Sequence, residues 1–273
     1  MNHSSLSDIR SALEAQGLSP KRRFGQNFLI DRSQRQRIAE LIVAGVPPQM
    51  PLWEIGPGLG SLTAALIELG YAPTLFEIDH GLIAHLEREF GPQIRIVAGD
   101  AVRTIESLAS EAPAVICGNL PYRSAAKIVA GVAESHIAAQ RAVFLVQREF
   151  ADRIAASPGT KTYAAITVAV QLRYEVRRCF DVPAAAFYPV PEVESTVVEL
   201  RRRSDVQRQA VLEGASATAR RAFAQRRKQL RNTLPDLHDA LVAVGVRLDT
   251  RPEQVSVEQF AAVGAYLAAH SAS

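Results

Sequence analysis

The chain has 273 residues, 48% hydrophobic and 22% charged, with 31 Lys and Arg against 28 Asp and Glu for a net charge of +3. That balance, with a mean hydropathy near zero, excludes a disordered or fibrous polypeptide and fits a soluble globular chain with one sizeable core and a smaller appended unit. No apolar run approaches the ~20 residues that cross a bilayer, and the first residues lack the basic flank and apolar stretch of a secretory signal.

Residues 6–16 read as a short helix stopped by Gly17 and Pro20, and residues 31–45 as an amphipathic helix. From there strands and helices alternate. Strands are predicted at 52–55, 73–77, 94–97, 114–117 and 142–147. Helices are predicted at 61–69, 81–90, 104–110 (weakly), 124–135 and from 148 to 155. Such alternation with apolar strands implies a mostly parallel sheet covered on both faces. Residues 174–180 and 196–200 read as a closing antiparallel hairpin at one edge. After Arg203 the strand pattern stops and the chain to His270 is helical in pattern. The expected division is therefore an α/β body over 1–203 and a helical lobe over 204–273, with 1–45 a helical segment that closes on the ligand side of the body. The two cysteines, Cys117 and Cys179, sit in apolar stretches without metal-ligand spacing, which fits buried thiols in a reducing, cytoplasmic compartment.

Charge is clustered. Between residues 201 and 231 there are ten Arg or Lys against Asp205 and Glu213, and a second cluster holds Lys21, Arg22 and Arg23, followed by Arg32, Arg35 and Arg37. A solvated helix face is the bland and less favoured reading. The alternative is a phosphate-neutralising surface, and the excess of Arg over Lys favours RNA, because guanidinium both stacks and forks onto phosphate.

The chemistry-bearing residues fall at successive strand ends. Gly56, Gly58 and Gly60 follow the first strand of the alternating set, where missing side chains allow a sharp turn and close approach to a ligand. A dinucleotide loop wants its third glycine at position 61, which is serine. The Gly-x-Gly-x-Gly spacing looks like the S-adenosyl-L-methionine loop of class I methyltransferases. Glu77 ends the next strand and is placed to accept both ribose hydroxyls; Asp79 is its rival, or a helix N-cap. Asp100, before Ala101, is placed for the cofactor's adenine amine, or again for an N-cap. Gly118-Asn119-Leu120-Pro121-Tyr122 ends the strand at 114–117. Adenine N6 is a poor nucleophile because its lone pair is delocalised. The Asn119 side-chain oxygen and the Leu120 carbonyl would hold it in a more pyramidal geometry, Pro121 would fix the turn, and Tyr122 would stack on a flipped base. Phe187, stiffened by Pro189 and Pro191, could present a second aromatic face.

Taken together, residues 21–29 (KRRFGQNFL), 54–63 (EIGPGLGSLT), 77–79 (EID), 99–101 (GDA), 119–122 (NLPY) and 187–195 (FYPVPEVES) resemble, in this order, the ribosomal RNA adenine dimethyltransferases. Gln225–Lys228 with Arg231-Asn232, and residues 251–256 (RPEQVS), are similar to that family's helical C-terminal lobe. The resemblance covers nearly the whole chain. It implies a class I methyltransferase (Rossmann-like) α/β fold. It also implies S-adenosyl-L-methionine-dependent N6,N6-dimethylation of two adjacent adenosines near the 3′ end of 16S rRNA, during small-subunit assembly. It implies cofactor contacts at Asn27, Leu29, Gly56, Gly58, Glu77, Asp100, Ala101 and Asn119. Base handling would fall to Asn119, Leu120, Pro121, Tyr122 and Phe187, and RNA contacts to Arg22, Arg23, Arg221, Arg226, Arg227, Lys228 and Arg231. A monomer with no metal, no membrane and no obligatory protein partner is expected. Arg123-Ser124-Ala125 departs from the Asn-Ile-Ser common in the family, and His80-Gly81 from the usual charged pair. Two rivals remain at this point: the related large-subunit rRNA methylases of antibiotic resistance, and a non-enzymatic RNA- or transcription-binding relative, whose mark would be erosion of the glycine loop or of Asn119.

Overall fold

The computed structural model describes residues 27–111, 113–137 and 139–270. The predicted helix at 6–16 and the cluster Lys21, Arg22 and Arg23 lie outside the described residues.

Nine strands are described: β1 (Phe28–Leu29), β2 (Leu52–Ile55), β3 (Thr74–Glu77), β4 (Arg95–Ala98), β5 (Val115–Asn119), β6 (Arg141–Gln147), β7 (Tyr174–Val182), β8 (Phe187–Tyr188) and β9 (Ser195–Arg202). Seven of them form one sheet in the order β4-β3-β2-β5-β6-β9-β7. The pairs β2–β3, β2–β5, β3–β4 and β5–β6 are parallel. β2 is buried along its whole length and β5 all but its last residue, which is why both read as continuous apolar runs instead of alternating ones. The Arg148 N–H donates to the Glu194 carbonyl, at the end of β6 and the start of β9, so these two run antiparallel. β9 and β7 are antiparallel as well: the Arg203 N–H reaches the Arg173 carbonyl at one end, and Thr196 Oγ1 reaches Asp181 at the other. This is the expected edge hairpin.

The chain clusters into two compact units. The first holds residues up to Ile128, His136–Arg148 and Arg178–Leu200; the second holds Val129–Ser135, Glu149–Arg177 and Arg201 onward. The expected step at 201–205 is one of several crossings between them.

In the first unit, helix Arg32–Val43 is opened by Asp31, whose Oδ1 accepts from the Gln34 N–H at 2.9 Å. Its Ile38, Ala39 and Ile42 join Leu52, Leu66, Val115 and Val143 in the main core. Helix Ser61–Glu68 follows β2, and helix His80–Phe90 follows β3. The weak helix predicted at 104–110 is instead a four-residue helix Ala101–Thr104 running into a 3₁₀ stretch, Ile105–Glu111, broken at Leu108. A short antiparallel pair, β1 with β8, sits apart from the large sheet, with Phe28 opposite Tyr188 and Leu29 opposite Phe187.

In the second unit, helices Ala165–Gln171, Gln209–Phe223, His238–Ala243 and Val257–His270 surround Tyr163, Val168, Leu212, Ala219, Leu241 and Phe260. The Tyr163 hydroxyl donates to the Val255 carbonyl at 3.0 Å, so the buried phenol is satisfied.

The strand order places the site. The chain steps from β2 outward through β3 to β4, then returns to lay β5 on the other side of β2. The carboxyl ends of β2 and β5 are therefore adjacent at the reversal, where open α/β sheets gather ligands. Gly118 permits the approach: a Cβ there would lie 2.3 Å from the Ile55 carbonyl oxygen.

Candidate active site

A cavity of about 570 Å³ opens at these strand ends, a volume in the range of ligand sites. Its lining comes from four strand tips and from β1. After β2, Gly56, Gly58 and Gly60 all take positive φ, between 60° and 80°. This left-handed run turns the chain back without side chains in the way. Ser61 then anchors the loop, its Oγ donating to the Leu29 carbonyl at 2.6 Å.

The acids differ in role. Glu77 ends β3 and is 5% exposed. Its Oε1 accepts from the backbone N–H groups of Ile78 (2.8 Å) and Asp79 (3.0 Å). Burial pushes its carboxyl above the ordinary range, and the N–H groups of Asp79, Ile78 and Gly58 oppose that push. Asp79 caps helix His80–Phe90 through the N–H groups of Gly81 and Leu82. Asp100 has two duties: Oδ1 accepts from Val102 N–H at 3.0 Å, and Oδ2 takes the Lys127 ammonium at 2.8 Å. Lys127 holds the Asp100 carboxyl below its usual value; burial opposes this and the Val102 N–H adds to it. Glu54, on β2, also lines the cavity.

At the tip of β5, Asn119 Nδ2 donates to the Asn27 carbonyl at 2.8 Å. A carbonyl can only accept, so the amide is oriented: nitrogen toward Asn27, with Oδ1 the end left for a ligand. The Leu120 N–H is tied to the Leu145 carbonyl at 3.1 Å, and the N–H groups of Ser124 and Ala125 return to the Pro121 carbonyl. The Tyr122 hydroxyl lies 2.7 Å from Ser195 Oγ.

Asn27, Leu29, Gly56, Gly58, Glu77, Asp100, Ala101, Asn119, Leu120, Pro121 and Tyr122 all line this one cavity. Phe187, expected as a second aromatic face, is not among these lining residues. The residue is 1% exposed, opposite Leu29 in the β1–β8 pair, and belongs to the core cluster with Leu29, Val182 and Val197. Among the expected RNA contacts, Arg221 pairs with Asp236, and Arg226 forks onto the Lys161 (2.7 Å) and Thr160 (3.0 Å) carbonyls. Arg227, Lys228 and Arg231 are exposed. Sequence reasoning missed Lys127 and Ser195. Lys127 carries no local signal and Ser195 only closes the 187–195 match; each acquires its partner far along the chain.

The family model for ribosomal RNA adenine dimethylase matches residues 17–269. The chain belongs to this family. Curated relatives named ribosomal RNA small subunit methyltransferase A are similar along nearly their whole length. That of Magnetococcus marinus is 39% identical, covering 93% of this chain and 94% of its own; that of Burkholderia cenocepacia is 36% identical, covering 96% and 98%. Among solved structures, a dimethyladenosine transferase from Plasmodium falciparum aligns with a TM-score of 0.72 at 20% identity, over 88% of this chain and 97% of that one. The 23S rRNA methyltransferase ErmE aligns at 0.63 and 26% identity, over 89% and 100%. The fold is that of the class I methyltransferases.

Enzymes of this family draw the methyl group from S-adenosyl-L-methionine, and the residues present fit that donor. It is a cation bearing a ribose and an adenine. The cavity offers it the carboxyl groups of Glu54, Glu77, Asp79 and Asp100, against Lys127 as the one Lys or Arg among the described lining residues. No helix of the described residues is long and apolar enough to cross a membrane.

Proposed function

We propose that this rRNA adenine dimethyltransferase acts in the cytoplasm, as a monomer. Its substrate is a small-subunit assembly intermediate, in which it dimethylates two adjacent adenosines near the 3′ end of 16S rRNA. The observation that carries the site assignment is the orientation of Asn119, which leaves an uncharged amide oxygen at the tip of β5 beside the glycine loop. When bound, S-adenosyl-L-methionine supplies an electrophilic methyl group on a sulfonium sulfur. Glu77 accepts its ribose hydroxyls and Asp100 its adenine amine, while Gly56 and Gly58 admit it close to the backbone. Asn119 Oδ1 and the Leu120 carbonyl accept the N–H groups of the target amine. That bends the nitrogen out of conjugation and returns its lone pair, so no strong base is needed. Pro121 fixes the turn between them, and Tyr122 offers its face to the extruded base. Arg227, Lys228 and Arg231 meet RNA phosphates.

Two substitutions separate these roles. Asn119→Ala is expected to cut methyl incorporation into purified small-subunit particles by about 10²–10³-fold while donor binding stays measurable by calorimetry. Glu77→Ala is expected to weaken donor binding by about 10–100-fold. An Asn119→Ala enzyme with normal turnover would refute the site. Labelling of naked large-subunit RNA in place of the particle would refute the substrate.

A further inference from the structure

Tyr122 is the one acceptor-site residue whose working part is a ring, and a ring stacks well only when it is held. Its backbone sits in the turn closed by the Ser124 and Ala125 N–H bonds to Pro121. Its far end meets Ser195, the first residue of β9, 73 positions downstream. Ser195 is completely buried. Its hydroxyl is 2.7 Å from the phenol oxygen, and either atom can donate. Burial pushes the Tyr122 phenol up, and the Ser195 bond only partly opposes this. The pair therefore stays neutral near neutral pH, and the hydrogen bond persists.

The geometry of such a tie is specific. The phenol oxygen lies on the axis about which the ring spins, so the bond does not fix the ring plane, which packing must set. It does fix χ1 and where the axis points. A tyrosine tethered at Cα and at Oη cannot swing its face out of the cavity, whereas one tethered only at Cα can, and a buried phenol without a partner gains by swinging toward water.

We propose that Ser195 is a positioning residue for methyl transfer, holding the Tyr122 ring where the target adenine stacks. This rests on the reading of Tyr122 as the base platform. It also gives the 187–195 segment a function other than the one expected for it: Phe187 packs in the core, and the far end of the segment supplies the hydroxyl.

The test is a double-mutant cycle with the full-length enzyme and small-subunit particles: Ser195→Ala, Tyr122→Phe, and both together. Each single change removes the same hydrogen bond from opposite sides. Each is expected to lower kcat by about tenfold with the donor KM unchanged, and the double variant is expected to fall no further than either single one. Multiplicative losses, or a normal kcat in Tyr122→Phe, would overturn the proposal. If Ser195→Ala proves too unstable to assay, Tyr122→Phe still decides, since it breaks the tie without opening space at Ser195. Tyr122→Ala separates this proposal from the reading beneath it. A large loss in that variant with normal Ser195→Ala and Tyr122→Phe enzymes would leave the platform standing and remove Ser195 from it. Normal activity in Tyr122→Ala would overturn both.

Discussion

Glu54 is the most unusual titrating group at the site. It is 1% exposed, and Thr63 Oγ1 donates to its Oε2 at 2.7 Å. Burial raises its carboxyl from 4.5 to about 7; Thr63 opposes the rise and the neighbouring Glu77 adds to it. The sign for stability follows. The unfolded chain releases this proton near pH 4.5 and the folded chain near 7, so in that window the folded state binds more protons. Stability from this group is greatest below the window and declines as pH rises through it. Glu54→Gln keeps an acceptor for Thr63 and removes the titration. Calorimetric melting of the two proteins should show the variant gaining on the parent from pH 4.5 to 7, and a constant difference would show that Glu54 does not titrate there. At this same scale the site was largely readable from sequence, because strand-end glycines, acids and the Asn-Leu-Pro-Tyr string sit where the alternation says loops must be. Phe187 was less legible, because nothing local tells whether an aromatic in a proline-stiffened loop faces a cavity or the core where it is buried.

At the scale of elements, Arg141 at the start of β6 joins the sheet to the end of helix Arg32–Val43. Its guanidinium donates to the Ala44 carbonyl at 3.0 Å and the Leu41 carbonyl at 3.2 Å, and also to that of Ile42. These are among the carbonyls a helix end leaves without intrahelical partners. The same guanidinium lies 3.6 Å from Glu199 on β9, whose side chain is fully buried. Arg141→Met should destabilise the protein by about 3 kcal/mol in urea unfolding, since it removes the cation 3.6 Å from the buried Glu199 side chain and the donor to three helix-end carbonyls. Adding Glu199→Gln should recover part of the loss, and a neutral Arg141→Met would show that the pair contributes nothing net. Alternation of apolar strands and amphipathic helices gave the parallel sheet and its edge hairpin, whose periodicity is local. It could not give the two-residue strands β1 and β8, which are too short for any pattern. Nor could it give helix Ala165–Gln171, an apolar run whose length suits a strand equally well.

At the scale of the whole molecule, the small net charge of +3 says less than where the cations are engaged. Within the helical unit, Arg226 is spent on the carbonyls of Thr160 and Lys161 and lies 3.8 Å from Glu253, while Arg227 and Lys228 are exposed. The arginines of one sequence cluster should therefore behave differently. Arg227→Ala with Lys228→Ala should make the salt dependence of rRNA association shallower by about 2 in log–log slope and leave the melting temperature alone. Arg226→Ala should lower the melting temperature. Identical salt slopes in the parent and the double variant would move the RNA contact elsewhere.

The amino-acid order alone determined the family, the class of sheet and most of the cavity lining, because backbone turns, strand ends and residue chemistry are properties of short stretches. Tertiary structure decided which way side chains face and which distant partner each one meets. Asn119 is aimed by a carbonyl 92 positions away and Tyr122 by a hydroxyl 73 positions away. Such pairings depend on strand order and register, which arise when the whole core packs and leave no trace in any local window of sequence.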